Sequence, residues 1–253
     1  MTPWEDLRRE LDAWSAAGRE ATLWWRDDDA VEPSAPLDRL LAAAGGGVPI
    51  SLAVIPATAS PGLAERIGGT LGVEVLQHGS AHANHAPAGE KKAELGPHRP
   101  IGQVLQELTR MRDRMVALFN DRFRPVLVPP WNRIGAELAA ALPDIGLAGL
   151  STYTARRSAH PAPGLRQVNC HVDIFDWRGR RFAGEQGCVE LMVGHLAARR
   201  SGRADAAEPT GLLTHHLVHD DDCWTFLDRL IAATRNHAAV RWIAPWAAPE
   251  APA

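Results

Sequence analysis

The chain has 253 residues, 45% of them hydrophobic, enough to bury a substantial core near the upper size of one α/β barrel or sandwich. Its formal charge of −3, from 27 basic and 30 acidic residues scattered along the sequence, leaves no basic stripe to grip a phosphate backbone, so nucleic acid is not expected as a partner. Cys170, Cys188 and Cys223 are spaced too widely for a C-x-x-C redox or zinc motif and read as reduced, mostly buried thiols.

The first twenty residues carry charges throughout and lack the apolar core of a secretory signal, so the sequence reads as cytoplasmic. Trp4, Leu7, Leu11 and Trp14 recur at spacings of three and four, predicting an amphipathic helix that ends at Gly18, with a first strand at 21–26. No charged residue appears between Arg39 and Glu65, but Gly45, Gly46, Gly47, Pro49, Pro56 and Pro61 interrupt that stretch. It therefore reads as a helix, a glycine turn and a buried strand at 49–55, and no membrane span is expected. A second buried strand is predicted at 73–76. The clearest helix covers 101–119, where Ile101, Val104, Leu105, Leu108, Met111, Met115 and Leu118 form one stripe. Strands at 125–128, 146–150, 167–172, 211–216 and 240–243 then alternate with helices at 134–142, 188–198 and 222–235. That alternation predicts an α/β fold with a mainly parallel sheet of seven or eight units in a closed or nearly closed (β/α) barrel, a single domain over 1–253, and catalytic residues at strand carboxyl ends. The Pro/Ala tail from Pro245 is expected to be loose.

Three constellations of chemically capable side chains follow predicted strands. In the first, Asp27, Asp28 and Asp29 are adjacent carboxylates whose repulsion a cation, Arg26 or full solvation would relieve. In the second, His78 and His82 stand four apart, so one turn of helix would bring both imidazoles to one metal ion. The third comprises His215, His216 and His219 before an Asp220–Asp222 run that suits the start of a helix. A second metal site of His216, His219 and Asp220 ranks below a catalytic role for one histidine.

The order of these motifs resembles the polysaccharide deacetylase superfamily, carbohydrate esterases of family four with a nodulation-type deacetylase domain, over roughly residues 21–216. The family's T-F-D-D-G motif is similar to the stretch ending Asp27-Asp28-Asp29-Ala30, which implies Asp28 as general base and Asp29 as metal ligand. A register one residue earlier, with Asp27 and Asp28 in those roles, stays open. His78-Gly79-Ser80-Ala81-His82 matches H-(S/T)-x-x-H in its histidines, with Gly79 where the family has a loop-bracing hydroxyl residue. Val128-Pro129-Pro130-Trp131-Asn132 resembles R-x-P-x-G but puts Val128 in place of the Arg that steadies the catalytic carboxylate. Arg133, reaching Asp173 or Asp176, is the expected substitute, ahead of Arg26. Asp173-Ile174-Phe175-Asp176-Trp177 matches D-x-x-D-W, and Leu213-Thr214-His215 matches L-x-H, implying His215 as general acid, with His216 as the alternative.

The resemblance implies a distorted (β/α) barrel of about seven strands and a hydrolase that removes N-acetyl or O-acetyl groups from a carbohydrate. It implies one divalent ion on Asp29, His78 and His82, with zinc the default and cobalt or nickel compatible with the same donors. Trp131 and Trp177 are the expected sugar-facing aromatics. The competing readings are an amide or imide hydrolase acting on a non-sugar small molecule, and a non-catalytic carbohydrate-binding relative. The expected partner is a small-molecule or glycan substrate; the oligomeric state is not legible.

Overall fold

The computed structural model describes residues 2–247, so all but the first three residues of the Pro/Ala tail lie outside the described residues. Local chemistry sets the first elements. Helix α1 (Pro3–Ala16) starts with a capping box between Thr2 and Glu5, while α2 (Ala35–Ala44) and α3 (Pro61–Gly68) are capped by Ser34 and Ser60, each with a proline in the first turn. Between them lie β1 (Ala21–Ala30) and β2 (Ile50–Val54), followed by β3 (Val73–His78), α4 (Ile101–Phe119) and β4 (Phe123–Val128). Helix α5 (Ala136–Ala141) leads into the two-residue strands β5 (Gly149–Leu150), β6 (Arg166–Gln167) and β7 (Val172–Asp173). A hairpin, β8 (Phe175–Asp176) and β9 (Arg181–Phe182), interrupts the alternation before α6 (Glu185–Arg200), β10 (Thr210–Thr214), α7 (Asp221–Thr234) and β11 (Val240–Trp242).

Among the described residues nine strands form one sheet in the order β6-β5-β4-β3-β2-β1-β10-β7, with β11 also paired to β1, and every pair is parallel. The sheet curls into a half-barrel wrapped by helices, consistent with the distorted (β/α) barrel of about seven strands that the resemblance implies. No helix among the described residues is long and apolar enough to cross a membrane.

Alternation along β1 divides the core in two. Leu23 and Trp25 face the helices with Leu52, Val54, Val75 and Leu127, whereas Trp24 faces the barrel interior with Ala53, Leu76, Val126, Val128, Cys170 and Leu213. The Trp24 indole donates to the Asn169 carbonyl at 3.0 Å, in space that a side chain at Gly211 would occupy. Trp246 closes the interior edge-on against Trp24, centroids 6.4 Å apart, and Arg166 donates to the Pro245 carbonyl. The first residues of the expected loose tail are thus packed. The three cysteines are free and buried.

Candidate active site

The barrel mouth gathers side chains from the ends of four strands and the loops beyond them in a cavity of about 330 Å³. Asp28 and Asp29 both reach it although strand neighbours normally face opposite ways. A β-bulge permits this: Asp28 pairs with Ala53 and Ala30 with Val54, leaving Asp29 as the extra residue, at φ 74°. Asp29 Oδ1 lies 3.2 Å from His78 Nε2 and 3.5 Å from His82 Nε2, is buried, and accepts no well-directed hydrogen bond. Burial pushes its carboxyl up, but the imidazoles of His78, His215 and His82 hold it well below the usual carboxylate range. An orphaned oxygen facing two ring nitrogens fits a cation held by Asp29, His78 and His82.

The histidines do not converge by a helical turn, as their spacing predicts. His78 ends β3, and the chain then turns through left-handed residues at Gly79, φ 60°, and His82, φ 56°. The His78 Nδ1–H donates to the Val128 carbonyl at 2.9 Å, so in the neutral ring the lone pair is on Nε2, which faces Asp29. Trp131 packs against His82 with centroids 4.4 Å apart, and both Trp131 and Asn132 adopt φ 55°.

Asp28 is the carboxylate held by arginine, but not by the expected one. Arg26 Nε donates to Asp28 Oδ1 at 2.8 Å and Nη2 to Oδ2 at 3.0 Å, a bidentate pair with both residues buried. The remaining donors of Arg26 go to Ser151 Oγ, the Thr152 carbonyl and Asn132 Oδ1. Arg133 lines the mouth, but its Nη1 donates to the Lys92 carbonyl and it pairs with neither Asp173 nor Asp176. The reason is the strand period itself: residues 26 and 28 are two apart and therefore share a face.

Asp27 leaves the site. It points to the helix side, accepts from the Thr214 hydroxyl at 2.6 Å and the His216 backbone N–H at 3.0 Å, and pairs with His216 Nδ1 at 2.5 Å. His216 is thereby turned away, and Asp220 caps α7 by accepting from Cys223 N–H, so His216, His219 and Asp220 form no cation site. His215 remains in the cavity, its Nε2 4.0 Å from Asp28 Oδ2 and its ring edge-on to Trp177 at 4.6 Å.

The two acids of the D-x-x-D-W stretch separate. Asp173 lines the cavity and accepts from Phe175 N–H and, at 3.0 Å, from Trp177 Nε1, so it reaches His215 only through Trp177. Asp176 sits in the β8–β9 hairpin, accepts from the Arg178 backbone N–H, and takes no part in the cavity. Neither acid holds His215, whose Nδ1 is buried and unpartnered. The sequence reading missed Asn132, Ser151 and Tyr153, single polar residues on loops; the Tyr153 hydroxyl accepts from Asp173 N–H at the cavity wall.

His171, His195 and Glu208 form a second triangle of ligand-type atoms among the described residues. Its hydrogen bonds run the other way. His171 Nδ1 accepts from Gly211 N–H at 2.9 Å, which puts the ring proton on Nε2, toward Glu208 Oε2 at 3.5 Å. Burial, the stacked His171 ring and Arg199 hold His195 down at about 2, hence neutral. The triangle is filled by a proton where the Asp29 site offers a lone pair.

No protein-family model matches the chain, and no curated protein sequence matches it. Solved structures do resemble it. A Mycobacterium smegmatis protein assigned to the polysaccharide deacetylases superposes with TM-score 0.62 at 16% identity, covering 89% of this chain and 87% of that one. A Streptococcus mutans family four carbohydrate esterase gives 0.54 at 14%, covering 93% and 90%. The Bc1960 peptidoglycan N-acetylglucosamine deacetylase gives 0.52 at 14%, covering 87% and 88%. The chain has the fold of the polysaccharide deacetylase superfamily.

Proposed function

We propose that this chain is a metal-dependent deacetylase that hydrolyses the acetamide of an N-acetylated sugar to a free amine and acetate. The observation that carries the reading is the convergence, in one cavity, of the Asp29–His78–His82 triangle, the arginine-held Asp28 and His215. Asp29, His78 and His82 would hold the divalent ion, zinc by default, whose chemistry when bound would be Lewis acidity toward an amide carbonyl and toward water.

The protein's own groups do the proton work. Asp28, aimed by both prongs of Arg26, takes a proton from the attacking water as its oxygen bonds to the acetamide carbon. His215 gives a proton from Nε2 to the nitrogen as the carbon–nitrogen bond breaks, and the packed Trp177 ring fixes the imidazole plane. Asp173 is a positioning residue, holding Trp177 through its indole N–H. Trp131 and Trp177 border the cavity, and Trp177 is 48% exposed, an aromatic face left for a sugar ring.

Acetate release from chitooligosaccharides and from nucleotide-linked N-acetyl sugars tests the substrate class, with a simple non-sugar acetamide as comparator. Acetate from the sugars is expected; hydrolysis of the non-sugar amide alone would overturn the sugar reading. Elemental analysis is expected to find one divalent ion per chain, lost in His78→Ala and His82→Ala and retained in His171→Ala, because His78 and His82 turn Nε2 toward the orphaned Asp29 oxygen whereas the His171 ring proton sits on Nε2. Equal metal in all four proteins would remove the site.

A further inference from the structure

Gly79 stands where the loop's bracing hydroxyl is expected, and the structure shows why no side chain fits. A Cβ there would collide with Glu94 Oε2 and with Pro130. The space belongs to Glu94, a carboxylate 1% exposed. Its Oε2 accepts from the Ser80 N–H at 3.0 Å, and its Oε1 from Ala81 at 2.8 Å and Ala83 at 3.2 Å. Left-handed backbone at Gly79 and His82 bends the loop so that these N–H groups point inward, a concave nest for an anion. Glu94 is itself anchored by main chain: its neighbour Leu95 bridges to Ile134 and accepts from Gly135 N–H at 2.9 Å, while Ala93 is tied to Asn84 and His85.

We propose that Glu94 is a positioning residue for the metal centre, an internal anion that fixes the loop between His78 and His82 and supplies part of the charge balancing the cation. This rests on the metal reading of Asp29, His78 and His82. A hydroxyl oxygen could accept from only part of this nest and would bring no charge; the carboxylate satisfies three N–H groups with two oxygens. Arg26 already neutralises Asp28. Asp29 and Glu94 are then the carboxylates in contact with the histidine rings and their loop, and together they match a double positive charge.

The test uses the full chain stripped of metal, with zinc affinity read by competition against a chromogenic chelator. Glu94→Gln, which keeps the shape and removes the charge, is expected to weaken zinc binding by about 10- to 100-fold, the range for residues that orient metal ligands. The visible spectrum of the cobalt-loaded variant is expected to shift, since the His82 ring is no longer fixed. A bracing role alone would lower the melting temperature of the metal-free protein and leave zinc affinity untouched, and that result overturns the proposal. Should Glu94→Gln not fold, Glu94→Asp decides: retracting the carboxylate from the nest costs zinc affinity if the proposal holds, and wild-type affinity sinks it. His78→Ala keeps the two readings apart. Zinc binding equal in wild type and His78→Ala removes the metal site itself, whereas zinc lost in His78→Ala but unchanged in Glu94→Gln removes only the role of Glu94.

Discussion

Asp28→Asn is expected to lower kcat by about 10²- to 10⁴-fold at saturating metal, the contribution of a positioned proton acceptor. An amide of the same shape cannot take a proton from water, so the loss should appear in kcat with KM little changed. Metal content is expected to stay at that of wild type, because Asp28 is not one of the three residues of the ligand triangle. Asp29→Asn should do the opposite and lose the ion. Some stability should go as well: the amide can present only one oxygen to Arg26, whose guanidinium otherwise makes a bidentate pair in a buried setting. Elemental analysis, steady-state kinetics and a melting curve on both variants separate these effects. If Asp28→Asn loses the metal while Asp29→Asn keeps it, the two roles must be exchanged.

Periodicity made the frame of the molecule legible. The apolar stripe of α4 predicts 101–119 and the helix spans Ile101–Phe119. The buried runs at 49–55 and 73–76 become β2, trimmed by one residue at each end, and β3, extended by two residues at its carboxyl end. Helix α3 escaped because its eight residues offer too short a window for a 3.6-residue stripe, and the β8–β9 hairpin because its two-residue strands offer no alternation. The turn that brings His82 back toward His78 has no propensity signature; it depends on left-handed backbone at Gly79 and at His82 itself.

The site was legible in its residue types and illegible in their directions. A run of three aspartates cannot say which of them a bulge will displace, and it is the displacement at Asp29 that puts two neighbours into one cavity, while ordinary alternation keeps Asp27 on the helix side with Trp25. Spacing should have favoured Arg26 over Arg133, since positions two apart on a strand share a face. Arg133 looked attractive only because it sits beside the missing motif position. Glu94 had no local signal at all. It lies 11 to 14 residues beyond the amides it binds, and only the folded loop brings them together.

Arg26→Met is expected to be among the most destabilising single substitutions in the chain, costing about 3–5 kcal/mol, the range for removing one partner of a buried ion pair. The asymmetry of the pair makes this sharper than the loss from its other half. Asp28 has Arg26 as its close hydrogen-bonding partner, whereas Arg26 keeps Ser151, the Thr152 carbonyl and Asn132 when Asp28 is changed. Without Arg26 the buried carboxylate loses the donors that aim it, so turnover should fall along with stability. Combining Arg26→Met with Asp28→Asn should cost less than the sum of the two, because the second change removes the stranded charge. Arg133→Ala is the control. Its guanidinium touches the Lys92 carbonyl and no motif acid, so its effect on stability should stay within about 0.5 kcal/mol. Urea unfolding of the wild type and the four variants measures all of this. A loss of less than about 1 kcal/mol for Arg26→Met, or equal losses for Arg26→Met and Arg133→Ala, would show that Asp28 does not depend on the buried guanidinium.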